Sequence, residues 1–200
     1  RIVEINNLIK RGGFEGNSPL TNWVELNRET KPQHIRERVA FNDKYVGRKS
    51  YHIKSSRSVD DSHPVGRFQE IDVEPGNKYV FGGAIKANIQ SDGGYCQIDI
   101  LGDEFSEVIK VEEESDWTAY NKNDIVIPEG VDKVKLRLTA PGTFKGDCYF
   151  DEIFLRNIDE TDASEGFEAT KFFDEFQTKK WTCETNVNQC LKRVNRLKII

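Results

Sequence analysis

From residue 2 to about 157 the chain is written in short runs of alternating apolar and polar positions. Gly, Pro, Asn and Asp punctuate the runs. Arg67–Val73 alternates and is closed by the turn Glu74-Pro75-Gly76-Asn77. Lys78–Ala87 is rich in aromatic and β-branched residues but holds Gly82 and Gly83, which predict a bulge or a close backbone approach. In Tyr95–Leu101, Cys96, Ile98 and Ile100 share one face, and Tyr95, Gln97 and Asp99 share the other. Lys133–Thr139 sets Val134, Leu136 and Leu138 inward against Lys133, Lys135 and Arg137. Arg48–Ser55, Val108–Val111, Asp124–Ile127 and Cys148–Leu155 complete a series of about eight to ten short strands. No helix is evident among them. The pattern predicts an all-β fold, a two-sheet antiparallel sandwich.

After about Asn157 the character changes. Seven carboxylates lie between Asp159 and Glu175 against the single Lys171, and six Lys or Arg follow in 179–200 against Glu184. Val187, Cys190, Leu191, Val194 and Leu197 are spaced by three and four, as on one helix face. Residues 1–157 therefore read as one module and 158–200 as a linker with an appendage. The appendage is either a helix that docks on a second copy or a partner chain, or a frayed end.

Two hundred residues suit one full-sized domain with such an appendage. The 29 basic and 34 acidic side chains leave a net charge of −5, which argues against nucleic acid as a partner. No apolar run approaches the ~18–20 residues of a membrane helix. No secretory leader is visible, and the lack of any Met marks the chain as a mature or excised piece of something longer.

Nor does any motif of catalysis stand out. Nucleophile-elbow, Walker and dinucleotide-fingerprint motifs are missing, and His34, His52 and His63 are scattered singly. His52, between Tyr51 and Ile53, reads as a surface residue of a strand. The acidic groups Asp60-Asp61, Asp103-Glu104 and Glu112-Glu113-Glu114 read as solvated turns, because adjacent side chains in extended chain point apart. The chain is expected not to be an enzyme; a lyase-type site of Tyr, His and Arg ranks third among the readings. Of the four cysteines, Cys96 and Cys148 occupy alternating apolar positions and are expected as small core residues rather than a disulfide pair, while Cys183 and Cys190 are near enough to pair.

The ends of the module carry the most specific signal. The opening is Asn7-Leu8-Ile9-Lys10-Arg11-Gly12-Gly13-Phe14-Glu15-Gly16, with Trp23 beyond it. The closing strand is Tyr149-Phe150-Asp151-Glu152-Ile153-Phe154-Leu155. Gly47–Tyr51, Val73–Phe81, Trp117 and Tyr120 lie between. This ordered set resembles the calcium-carrying jelly-roll carbohydrate-binding modules found beside glycoside hydrolases, over about residues 5–157. Two positions depart from that pattern: Arg11 stands for an Asn, and Glu152 for the second closing Asp.

The resemblance implies a jelly roll with one structural Ca²⁺, held by the carboxylates of Glu15 and Asp151 and by carbonyls near Gly13 and Lys49. A hard cation of this kind takes six to eight oxygens. It also implies that Trp23 and Trp117 pack into the sandwich. A sugar offers apolar CH faces and a ring of hydroxyls, so aromatic and planar polar side chains suit it. Tyr95, Gln97, Asp99 and Arg137, flanked by Tyr120, are the candidate carbohydrate-binding set. The expected function is non-catalytic binding to a polysaccharide or cell-wall glycan within a larger extracellular or cell-surface protein. The alternative is a structural or adhesion module of a bacteriophage tail or baseplate, in the virion.

Overall fold

The computed structural model describes residues 7–29, 31–57 and 63–158, which belong to one compact unit, Asn6–Asp159. Ten strands follow in chain order: β1 (Val24–Leu26), β2 (Ile35–Ala40), β3 (Ser50–Ser55), β4 (Pro64–Asp72) and β5 (Lys78–Ile89), then β6 (Cys96–Gly102), β7 (Phe105–Val111), β8 (Ser115–Val126), β9 (Lys133–Pro141) and β10 (Gly146–Asn157). They form two five-stranded antiparallel sheets, ordered β1-β4-β9-β6-β7 and β2-β3-β10-β5-β8. There is no helix among the described residues. This is the expected jelly-roll sandwich.

The inward positions of the two sheets meet in one core. Ile98, Ile100, Leu136 and Leu138 come from the first sheet; Tyr51, Ile53, Phe81, Ile85 and Phe150 come from the second. Each such side chain contributes about 1.5–3 kcal/mol by leaving water. Trp23 is buried as expected and stacks on Phe14 with ring centroids 5.5 Å apart. Cys96 on β6 and Cys148 on β10 are bonded as a disulfide across the core. That corrects the expectation of two separate small core residues. Alternation placed both inward, but only the stacking of the sheets brings their Cα atoms to 5.6 Å.

The opening and closing motifs lie side by side. Asn7 Oδ1 accepts the amides of Ile9 at 3.0 Å and Leu155 at 3.1 Å, and Asn7 Nδ2 donates to the Ile153 carbonyl at 3.0 Å. The Ile153 amide donates to the Gly12 carbonyl at 3.0 Å. A Cβ at Gly12 would stand 2.0 Å from the Ile153 oxygen, so only glycine allows the two segments to run this close. Gly82 meets the expected close approach too, since its Cβ would fall 2.1 Å from the Tyr120 carbonyl oxygen of β8.

Two strands went unread in the sequence, and one is longer than expected. β2 (IRERVA) hides its period because Glu37 points inward. There Glu37 accepts the Tyr51 hydroxyl at 2.7 Å and pairs with Arg67 at 3.1 Å and Lys31 at 3.2 Å, joining the two sheets along one side of the sandwich. β8 starts at Ser115, and register irregularities opposite Tyr79–Phe81 and Ile85–Ala87 break its alternation. The expectations for residues beyond Ile158, including the helix face and Cys183 with Cys190, lie outside the described residues.

Candidate functional site

The outer face of β2-β3-β10-β5-β8 carries a continuous row of side chains. Ladder register aligns Arg38 with His52, His52 with Tyr149, and Tyr149 with Lys86. Trp117, on β8, extends the row. The loop between β2 and β3 adds Asp43 and Tyr45 from above, with Tyr45 tilted against Trp117 at 6.0 Å. Asp43 accepts the Trp117 indole N–H at 2.8 Å and pairs with Lys86 at 3.0 Å. Phe41, 62% exposed, stands in the same loop under the Lys49 ammonium.

His52 is fully buried in the middle of this row, which corrects its reading as a surface residue. It does point away from the core, as alternation requires, but neighbouring strands and Tyr149 cover it. Its ring lies parallel to Tyr149, with centroids 4.0 Å apart and planes 7° from parallel. Arg38 Nε–H donates to Nδ1 at 3.0 Å, so the ring proton sits on Nε2 and is donated to Asp147 Oδ1 at 2.7 Å. Burial holds the His52 pKa below its ordinary value, and the Asp147 carboxylate opposes that shift. A neutral imidazole thus locks the Tyr149 ring in one orientation.

Trp117 was expected in the core and is instead half-buried on this outer face, 6.2 Å from Tyr149. It stands three positions before Tyr120 on β8, and Tyr120 packs against the core, so alternation sets Trp117 on the opposite face. Two partly exposed rings, Trp117 and Tyr149, therefore stand among fixed donors and acceptors: Lys86, Asp43, Arg38 and Asp147. Rings with apolar faces beside oriented polar groups can hold a sugar by stacking and by hydrogen bonds to its hydroxyls.

The sequence-derived set sits elsewhere. Tyr95 and Gln97, with Asp99 and Arg137, lie on or beside the outer face of the opposite sheet, and Asp99 pairs in register with Arg137. Asp99 was expected toward solvent, yet it is fully buried. Arg137 covers it with bonds of 2.7 and 3.0 Å, and the Gln97 amide donates to it as well. The Tyr95 ring is capped by Lys110 at 4.6 Å. Tyr120 does not flank this set. It belongs to β8 of the other sheet, pairs with Gly83, and packs against the core.

The residues considered for calcium gather around the β2–β3 loop. Asp151 Oδ2 accepts the amides of Tyr45 and Val46, each at 3.0 Å, and Oδ1 accepts the Glu152 amide at 2.8 Å. Glu15 Oε1 accepts the amides of Arg48 at 2.5 Å and Lys49 at 3.0 Å. One carboxylate thus grips each end of Tyr45–Lys49. The register shift between Asp151 and Phe154, with Glu152 at φ 50°, turns the Asp151 carboxylate into full burial. Desolvation pushes its pKa up to about 7, and the nearby Glu152 carboxylate adds to the shift. Gly13 borders Glu152, since a Cβ there would lie 2.6 Å from Glu152 Oε1. No three His, Cys, Asp or Glu side chains converge on one point among the described residues, so a metal here would need main-chain carbonyls.

Several solved structures share this architecture. A family 61 carbohydrate-binding module in complex with β-1,4-galactotriose superposes with a TM-score of 0.54 at 16% identity, over 76% of this chain and 99% of that one. The CBM22-1 xylan-binding domain from Paenibacillus barcinonensis Xyn10C gives 0.51 at 12% identity, over 77% and 96%. The enzymatically active domain of bacteriophage CBA120 tailspike protein 4 gives 0.59 at 15% identity, over 76% of this chain but only 21% of that one. No family model matches the sequence, and neither does any curated protein. The fold is that of the jelly-roll carbohydrate-binding modules.

Proposed function

We propose that the chain is a non-catalytic carbohydrate-binding module of a larger protein. It would hold that protein at a polysaccharide or cell-wall glycan through the outer face of β2-β3-β10-β5-β8. The observation that carries this reading is the ordered row Arg38, His52, Tyr149, Lys86 and Trp117, with two partly exposed rings held among fixed polar groups. The opposite sheet offers less: its Tyr95 and Phe68 rings lie under Lys110 and Lys135, and Asp99 is engaged by Arg137. The Cys96–Cys148 bond supports an extracellular or cell-surface setting, because disulfides persist in oxidising surroundings. A second reading, a module of a phage tail or baseplate, draws on the likeness to the tailspike domain. The same face would then grip host glycan.

The reading includes a structural calcium ion between the opening segment and the closing strand. Buried Asp151 has no ammonium or guanidinium partner among the described residues, and a divalent cation would supply the missing charge. The carbonyls of Gly13 and Lys49 would complete the oxygen set with the Glu15 and Asp151 carboxylates. Calcium would contribute charge compensation and cross-linking of the loop, not chemistry on a substrate.

Titration calorimetry of the intact chain and its Trp117→Ala variant against soluble glycans selected by a cell-wall and polysaccharide pull-down tests the binding face. The variant is expected to bind at least about ten-fold more weakly, as for a central aromatic contact, while circular dichroism shows the sandwich still folded. Full affinity in Trp117→Ala, or no glycan retained by the intact chain, would overturn the reading.

A further inference from the structure

Beside the aromatic row, at the β2–β3 end of the same face, lies a cleft of about 370 Å³ lined by His34, Arg36, Arg38, Lys54 and Ser56. Its chemistry differs from the rest of the molecule. The chain as a whole carries a net charge of −5, yet three cationic side chains and, among the described residues, no carboxylate line this cleft. Arg36 and Arg38 are exposed and have no carboxylate partner among the described residues. Among the described residues Arg38 engages neutral His52 alone, through Nε, and the outer edge of its guanidinium makes no bond there. Lys54 shares Asp147 with His52, at 3.4 Å. His34 Nε2 is buried at the cleft wall with no hydrogen-bond partner among the described residues.

Register fixes where the cleft lies relative to the rings. Arg36 aligns with Lys54, and Arg38 aligns through His52 with Tyr149. The Arg38 strand is therefore two strand spacings, about 10 Å, from that of Tyr149. A ligand stacked on Tyr149 and Trp117 that extends along the row toward β2 reaches two guanidinium groups and an ammonium. Guanidinium groups recognise planar or tetrahedral oxyanions through paired N–H donors.

Resting on the reading of this face as a glycan site, we propose that the module selects an acidic glycan. Its anionic substituent would lie among Arg36, Arg38 and Lys54, while Tyr149 and Trp117 carry neighbouring sugar rings. A uronate carboxylate and a sulfate ester present the same oxyanion chemistry.

Affinity electrophoresis of the intact chain tests this with polygalacturonate (carboxylate), dextran sulfate (sulfate ester), neutral galactan and dextran, and polyglutamate as an anion without sugar. Retardation is expected with polygalacturonate or dextran sulfate, whichever carries the matching oxyanion. It should fall as salt is raised and exceed that with the neutral glycans and polyglutamate. Arg36→Gln combined with Lys54→Gln, both at exposed positions, should weaken it by roughly ten-fold at an unchanged melting temperature. Equal retardation by neutral glycans, or full affinity in the double variant, overturns acidic selectivity while leaving glycan binding intact. Equal retardation by polyglutamate overturns it as mere charge attraction. Retardation by none of these polymers overturns both the glycan reading and the acidic selectivity, whereas acidic-glycan retardation left unchanged in Trp117→Ala overturns the placement of the sugar rings on the aromatic face.

Discussion

His52 lies flat against Tyr149, 4.0 Å between ring centroids, with its Nδ1 fixed by Arg38 and its Nε2–H given to Asp147. One buried neutral imidazole thus couples three strands, β2, β3 and β10, to the orientation of a surface ring.

That coupling makes the fold pH-dependent in a definite direction. Burial lowers the folded His52 pKa below 6.5, so the unfolded chain takes up the proton first as pH falls. Stability from this residue is complete above pH 6.5 and declines below it, by up to about 1.4 kcal/mol per pH unit, until folded His52 itself protonates. Asp147, Arg38 and Lys54 are the charged groups facing the ring. Chemical denaturation at a series of pH values should show a shallower acid decline in His52→Gln than in the natural chain. An identical decline would remove His52 as the cause.

The Cys96–Cys148 bond closes a loop with a sequence separation of 52 between the two sheets. Its loss should cost about 4 kcal/mol through the greater freedom of the unfolded chain. For a domain of this size that is a fall of roughly 8–16 °C in melting temperature. Calorimetry of the Cys96→Ala, Cys148→Ala double variant checks it; a shift of only a degree or two would contradict the assignment.

Glu37 is the acidic centre of the ion cluster on the β2 side of the sandwich, with its side chain only 1% exposed. Glu37→Gln keeps the shape and the Tyr51 contact but leaves Arg67 and Lys31 facing a neutral group. Glu25 still pairs with Lys31 and, at 3.9 Å, with Arg67, so the expected loss is roughly 1–2 kcal/mol rather than that of a fully stranded charge. Urea unfolding with an unchanged slope and a lower midpoint is the expected signature.

Calcium is tested by melting with the ion added and with EDTA. A bound ion stabilises by about 2.7 kcal/mol at roughly a hundred times its Kd. The natural chain should therefore melt higher with calcium. Glu15→Ala with Asp151→Asn should melt lower and give no calcium response. A natural chain indifferent to both calcium and EDTA would overturn the ion.

Much of this architecture was legible in the sequence because alternation is a local property: a strand half-buried in a sandwich must write apolar and polar residues by turns. It marked Cys96, Ile98 and Ile100 as inward and His52 as outward, each within its own strand. The opening and closing motifs were legible for a related reason, since Asn7 and Gly12 answer directly to the backbone of Ile153 and Leu155. Tertiary structure alone decided which outward residues become neighbours. Strand order sets β10 between β3 and β5, which assembles His52, Tyr149 and Lys86 from positions 52, 149 and 86 into one row. It also places Tyr95 and Asp99 on the opposite sheet, away from Tyr120. Outward is not the same as exposed, so His52 and Asp99 are buried by neighbours that no local pattern names. A period of two tells each side chain which face it occupies; hydrogen-bond pairing between distant strands tells it what it will touch.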